Sequence, residues 1–451
     1  MLFQSQAARL VNDALRAAIG NADRQRKERA QKQLLFYQDE QELFIRADLD
    51  KRYVAPSRLT PVSVNAVKKI IRNLAMVYIQ DARRRVEGTE ADQAIFAEIE
   101  TTASLPVMMK QANRLSKLLG TVLARPIWRG GRMEMDILPP DILDVTWGDT
   151  PADLQEVVVT VNDPDGNASA VTYSRWTAEI YQKLDYRGQV IESEPNPYGR
   201  LPFVPIWSQP PLDNFWLTGA ADLIMAQDAI NTILTCLLHT LRFQSFSLLY
   251  TKGANVSKND DFMMGPGVVV NLPQDGDIGF TAPNAPIADA LTSVETLMKQ
   301  AAITNGLSAS SVSLDPTNES GVAKIVGNSE LEELRADDLA LFARYEDQLF
   351  DLFRTIWNVH NPGRKISESA VLWCDFYNPE PTQTPYEKSR TWNDLLDMGV
   401  ISKVDIVMQM NPDLNREQAI KQLENTQAEI KRFGDALPSL TSYQDGMAPL
   451  E

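Results

Sequence analysis

A small, polar loop that runs straight into a very long uninterrupted helix constrains this chain more than any other feature. The loop is Gly306 to Ser320, rich in Ser and carrying Asp315-Pro316. The helix opens at Ser320-Gly321-Val322-Ala323-Lys324 and meets no breaker from Asn328 to His360. Leu331, Leu334, Phe342, Tyr345, Leu349, Leu352 and Ile356 recur at helical spacing, a seam that one side of a helix can bury. The 39 residues from Gly321 to Val359 span roughly 58 Å at 1.5 Å per residue. That exceeds an ordinary globular helix. Such a helix serves as a strut in a larger assembly; a long helix within an all-α enzyme is the plainer alternative.

The segments before it form an unusual series. A helix is expected from Gly219 to Ser247, with Leu223, Ile230, Ile233, Leu237, Leu238 and Leu241 as its apolar stripe. Phe246 to Asn284 carries strand and turn signals, among them Leu248-Leu249-Tyr250, Pro266-Gly267, Val268-Val269-Val270 and Asp275-Gly276-Asp277. A second helix runs from Ile287 to about Asn305. Upstream, residues 1 to about 135 read mainly helical, with Pro61 and Pro106 as breaks. Residues about 136 to 210 read as strands. Val371 to Tyr377 reads as a strand returning to that sheet. Thr391 to Phe433 reads as helical, with Asn415 as N-cap and Gln418 three residues on. The tail from Gly434 to Glu451 has the composition of a disordered end.

This order resembles the portal proteins of tailed bacteriophages, of the long-tailed-phage type. In that family two stem helices flank a β-containing clip, and a tunnel loop leads into a long wing helix. Ser320-Gly321-Val322-Ala323 is similar to the family's small-residue start of that helix. Leu35-Phe36-Tyr37 and Asn65 to Tyr78 resemble the N-terminal wing helix. Gly120-Thr121-Val122-Leu123, Ile137 to Asp141 and Asp144-Val145 resemble wing strands. Tyr173 to Thr177 and Asn196 to Val204-Pro205 resemble the run into the stem. Met398-Gly399-Val400-Ile401-Ser402 resembles the C-terminal end. The likeness spans about residues 30 to 430 and rests on the order of segments.

The resemblance implies an α+β fold, mainly α, with wing, stem, clip and crown. Its divisions are a wing over 1–218, stem helices at 219–245 and 285–305, a clip at 246–284 and a tunnel loop at 306–320. The long wing helix and returning strand occupy 321–377, the helical crown 378–433 and the tail 434–451. It implies a homo-oligomeric ring of about twelve copies, a dodecamer, at one capsid vertex. Double-stranded DNA would be packaged and ejected through the ring. The implied partners are the terminase large subunit, the head-to-tail adaptor, and the major capsid and scaffolding proteins. Assembly would occur in the host cytoplasm and the product would reside in the virion. In the loop, Leu307, Ser310, Ser311, Ser313, Leu314, Asp315, Asn318 and Glu319 would surround the DNA, with little apolar anchoring. Asp289, Glu295 and Lys299 would be wall charges of the second stem helix. Lys252, Lys258, Asp260, Asp261 and Phe262 would dock partners on the clip. An adaptor, a minor capsid protein or a helical enzyme without a recognisable motif are the other readings.

Composition limits the chemistry. The net charge of −16, from 44 basic and 60 acidic residues, argues against a surface that grips DNA broadly. It suits a conduit, and equally suits simple solubility. Basic clusters at Arg24 to Lys32 and Arg83-Arg84-Arg85 read as solvated helix faces. No uninterrupted apolar run reaches the roughly 18 residues of a spanning helix, and no membrane partner is expected. Gln4, Gln6 and Arg9 interrupt any signal-peptide pattern. Cys236 and Cys374, both in apolar settings, read as buried thiols of a cytosol-made protein and not as a disulfide framework.

The motif search is negative. There is no G-x-x-x-x-G-K-[ST] loop, and Gly265-Pro266-Gly267 lacks the third glycine of a dinucleotide fingerprint. His239 and His360 stand without metal-ligand spacing. Asp163-Pro164-Asp165-Gly166-Asn167 has Ala168 where a calcium loop needs glycine, and reads instead as a hairpin turn between Val157-Val158-Val159 and Val171-Thr172-Tyr173. No nucleophile elbow is present. Neither a cofactor nor an enzymatic activity is expected.

Overall fold

A computed structural model describes residues 22–52, 59–161, 171–244, 248–252, 277–281, 286–312, 321–377, 385–411 and 414–433. The chain divides into two compact units, Met1–Tyr377 and Asn378–Glu451. The architecture is α+β and mainly α.

The first unit opens with α1 (22–37), α2 (Glu42–Arg52) and α3 (Ala66–Leu74), followed by β1 (Arg83–Glu87), α4 (Glu90–Thr102) and α5 (Leu105–Leu119). Then come β2 (Thr121–Arg129), β3 (Arg132–Leu138), β4 (Leu143–Trp147), β5 (Leu154–Val161), β6 (Thr172–Trp176), β7 (Ile180–Leu184), β8 (Val190–Pro195) and β9 (Val204–Trp207). Helix α6 (Ala221–Gln244), strands β10 (Leu248–Lys252) and β11 (Asp277–Thr281), α7 (Ile287–Thr304), α8 (Gly321–His360) and β12 (Val371–Asp375) complete it. β2 lies between β3 and β9; β4 to β8 form an antiparallel meander. The Val157-Val158-Val159 hairpin is present as β5–β6, while its turn lies outside the described residues.

The lower part of α8 forms the core. Phe342, Tyr345, Leu349, Leu352, Phe353, Ile356 and Trp357 are buried against β2, β9 and β12. Each such side chain contributes about 1.5–3 kcal/mol by leaving water. Leu334, expected in the same seam, is 43% exposed. The helix is 40 residues long, as its unbroken periodicity predicts.

β1 corrects two expectations. Arg83-Arg84-Arg85 is not a solvated helix face but a strand paired with β12, Arg84 standing opposite Cys374. β12 therefore forms a separate two-stranded sheet with β1 instead of joining the larger sheets. Strands β1 to β3 also lie largely within the region read as mainly helical. The Arg84 side chain is 0% exposed and Glu346 of α8 is 1% exposed, their N–O distance 2.6 Å. Tyr78 Oη donates to Glu346 at 2.6 Å, and Arg84 also pairs with Glu100 at 3.0 Å. Burial and the Glu346 carboxylate hold the Tyr78 hydroxyl well above its usual range. The same burial, with Glu346 beside it, pushes the Cys374 thiol up to about 12. Both cysteines are half-buried, not fully buried as expected. The other basic cluster, in α1, does face solvent in part, but Arg26 is buried and donates to the carbonyls of Pro140 and Leu143.

By length and composition, Ala221–Arg242 is long and apolar enough to cross a bilayer. A count of unbroken apolar runs does not register this, because Gln227, Asn231, Thr235 and His239, among others, interrupt the apolar residues. Those residues line a hydrogen-bonded face. Gln227 accepts from the Ala66 N–H at 2.9 Å and donates to the Val64 carbonyl at 2.7 Å. Thr235 accepts from Val62 N–H at 3.1 Å, and His239 Nε2 from Thr60 N–H at 2.9 Å. Asn231 joins Gln227 to Gln41. His239 thus accepts a backbone hydrogen bond from the segment that runs along α6.

The start of α6 is fixed by a backbone crossing. Ala220 N–H donates to the Leu118 carbonyl at 2.9 Å. A Cβ on Gly219 would lie 2.3 Å from that same oxygen, and its φ of +58° already excludes most side chains.

The second unit holds α9 (Pro385–Asp397), α10 (Lys403–Met410) and α11 (Arg416–Phe433). Ser402 and Asp405 form a capping box at α10. Asn415 and Gln418 reciprocate across the start of α11, as the sequence predicts. Residues 434–451 lie outside the described residues.

Replacing Glu346 by Ala leaves Arg84 and Tyr78 with buried unmet groups. It is expected to cost about 3–5 kcal/mol, read as a lower thermal midpoint. A second test concerns acid. Burial would raise the Asp92 carboxyl, but donors from Ser367 and Thr89 outweigh it and hold the group at about 2. A depressed carboxyl stabilises the fold above its unfolded value near 3.9 and loses that effect as pH falls towards 2. The Asp92→Asn variant is expected to show a shallower loss of stability between about pH 4 and pH 2 than the parent chain.

Candidate channel-lining hairpin and loop

Helices α6 and α7 pack on each other, with β10 and β11 paired between them in sequence. The ribbon runs antiparallel with Leu248 opposite Thr281 and Lys252 opposite Asp277. Lys252 is exposed. Lys258, Asp260, Asp261 and Phe262 lie outside the described residues.

α7 buries Val294, Ala301 and Ala302. Its other side carries Asp289, Thr292, Ser293, Thr296, Gln300 and Ile303 in exposed positions. Glu295 and Lys299 are one turn apart and meet at 2.6 Å, each about two-fifths exposed. Asp289 sits in the first turn, where a carboxylate favours the helix dipole. The three expected wall charges are therefore one exposed acid and one internally neutralised pair. Sequence spacing allows an i,i+4 pair but does not establish one.

The end of α7 shapes the loop. Gly306 has φ +75°, its N–H donates to the Ile303 carbonyl, and the Leu307 N–H reaches back to Ala302 at 3.0 Å. This is a Schellman ending, which needs a left-handed residue and places an apolar side chain just after it. Leu307 fills that role and is 3% exposed; Val312, after a 3₁₀ turn at Ala309–Val312, is buried too. The expected absence of apolar anchoring is thus wrong for the first part of the loop. The Gly-Leu pair after an apolar helix was the available signal. Ser310 and Ser311 belong to the turn, while Ser313, Leu314, Asp315, Asn318 and Glu319 lie outside the described residues.

Further along α8, Asp338 pairs with Lys117 at 2.7 Å. Burial pushes the Asp338 carboxyl up despite that lysine. Arg335 donates to the carbonyls of Met76 and Tyr377. Among the described residues, no group of three or more His, Cys, Asp and Glu could hold a metal ion. His360 stacks on Trp128, ring centres 5.1 Å apart, and meets the Tyr198 hydroxyl at 3.1 Å; it closes the end of α8.

A family model described as phage portal protein, SPP1 Gp6-like, matches residues 62–432. The chain belongs to this phage portal family. A portal protein is a structural component of a virion and not an enzyme. No curated protein matches this portal chain. Among solved structures, it is similar to a chain from the virion of a native gene transfer agent particle, at 14% identity and TM-score 0.45, covering 75% of this chain and 86% of that one. It is also similar to a chain from the neck of an empty gene transfer agent particle, at 13% identity and TM-score 0.47, covering 79% and 90%. A chain from the neck of a native particle gives 13% identity and TM-score 0.43, covering 77% and 88%.

Truncating Leu307 to Ala is expected to loosen residues 306–312 by about 2–4 kcal/mol. Hydrogen exchange should rise there and stay unchanged in β2 and β9. A Gly306→Ala change is expected to act in the same direction by about 1 kcal/mol, through its left-handed backbone.

Proposed function

We propose that this portal subunit closes into a ring of about twelve copies through one repeated heterologous contact. Double-stranded DNA passes along the ring axis during packaging and ejection. α6 and α7 are the stem, and α7 with residues 306–320 faces the DNA. β10, β11 and the residues between them are the clip, which meets the terminase large subunit and later the head-to-tail adaptor. α8 is the wing strut, and the unit from residue 378 is the crown. Major capsid and scaffolding proteins surround the wing, and assembly takes place in the host cytoplasm. One observation carries this reading: within a chain of the portal family, two packed helices bracket an antiparallel ribbon and lead through an anchored loop into a 40-residue helix.

The acid excess supports a conduit over a DNA clamp, since a net charge of −16 repels phosphates at long range. The ribbon supports a docking role because an isolated two-stranded hairpin is marginal in water and gains stability from a neighbour.

Purified protein imaged in negative stain is expected to show hollow rings of about twelve-fold symmetry. A stable monomer at micromolar concentration in light scattering, at every salt tried, would sink the ring. Replacing residues 246–284 by a short Gly/Ser linker is expected to weaken ring closure and abolish motor docking while the first unit stays folded. Normal DNA packaging by that variant would show that this segment is not the clip.

A further inference from the structure

We propose that Glu295 masks Lys299, the one cation of α7, and so keeps this helix from gripping DNA phosphates. The inference rests on α7 being channel wall and adds a rule for its chemistry. Ile287–Thr304 contains Asp289, Glu295 and Lys299 as its charged side chains. Lys299 Nζ lies 2.6 Å from Glu295 Oε1. An ammonium is a point charge with three donors, well suited to a phosphate. In a ring the same lysine recurs once per copy at one height, so unmasked lysines would form a closed belt of positive charge. An exposed one-turn ion pair does little for stability, so a purely structural role explains the pair poorly.

The hydroxyls of the exposed face obey the same rule. Thr292 Oγ1 donates to the Ala288 carbonyl at 2.9 Å, Ser293 Oγ to Asp289 at 2.8 Å and Thr296 Oγ1 to Thr292 at 2.8 Å. Ser and Thr within helices often bond backward in this way. Each hydroxyl proton is thus directed into the helix, and what faces outward is a pair of oxygen lone pairs. A phosphate oxygen meets no donor from them. These hydroxyls and the lysine look adhesive in the sequence, yet the folded helix turns them inward or pairs them, and leaves the Gln300 amide as the exposed side chain that still carries N–H donors. Such a surface stays wetted while giving a moving duplex little to hold. Removing Glu295 restores a full ammonium and leaves the backbone bonds of the hydroxyls untouched.

The test uses assembled rings of the full chain with Glu295→Gln, Lys299→Gln and the double variant. Binding of a linear DNA duplex is measured across a salt series. The Glu295→Gln ring is expected to bind about tenfold tighter at low salt, with a steeper fall as salt rises, because each new phosphate contact releases counterions. Lys299→Gln, which leaves an unpaired carboxylate in each copy, should bind no tighter than the parent ring, and the double variant should match it. Equal binding by Glu295→Gln and parent rings overturns the masking role. A separate readout addresses the wall itself: Thr296→Cys in particles is labelled by a thiol reagent before and after DNA release. Protection by packaged DNA supports α7 as wall. Equal labelling in full and emptied particles overturns the wall reading, and the mask with it.

Discussion

The buried ion pair between Arg84 and Glu346 joins β1 to α8, parts of the chain 262 positions apart. Without it, α8 would be held to β1 and β12 by apolar contact alone, which fixes position loosely about the helix axis. A planar guanidinium bonded to Glu346 through Nε and NH2 fixes rotation as well. Tyr78 adds a third donor to the same carboxylate from the segment after α3. The orientation of α8 decides which of its residues face β2 and β9, and hence where Leu331 and Leu334 stand above Leu307 and Gly306. A charge pair removed from water is a costly way to join two elements, and breaking half of it costs more still. The arrangement is therefore all-or-none, a suitable property for a strut.

Much of this architecture was legible from periodicity. The unbroken run from Asn328 to His360, the strand signals at Leu248 and the capping pair Asn415 and Gln418 each rest on local physics, and each is present. Arg84 was misread for a physical reason. A triplet of arginines carries no mark of its partner, and that partner is 262 positions away. Long-range pairing also hid the β1–β12 sheet, because a five-residue strand with charges at most positions shows no alternation. In α6, helical periodicity found the apolar stripe but passed over Gln227 and took Asn231 and Thr235 as interruptions, although all three are buried and bonded.

The candidate site shows the same division. Asp289, Glu295 and Lys299 were identifiable as the charges of α7, but their mutual neutralisation needs side-chain geometry. The Ser-rich composition of the loop suggested looseness throughout. Gly306 and Leu307 instead make a defined helix ending that starts the loop on a fixed path.

The bonds between α6 and residues 60–66 carry a metrical consequence. The acceptors at Gln227, Thr235 and His239 span twelve residues of helix, about 18 Å of rise. Their donors, the backbone N–H groups of Ala66, Val62 and Thr60, are six residues apart, and the segment bends at its inner end, where the Ala66 N–H also reaches the Val64 carbonyl at 3.0 Å. The segment is thus laid along α6 with three separate points of attachment. A residue inserted between Thr60 and Ala66, or taken from between them, would carry at least one donor away from its acceptor. Length, as much as identity, is what these seven positions encode.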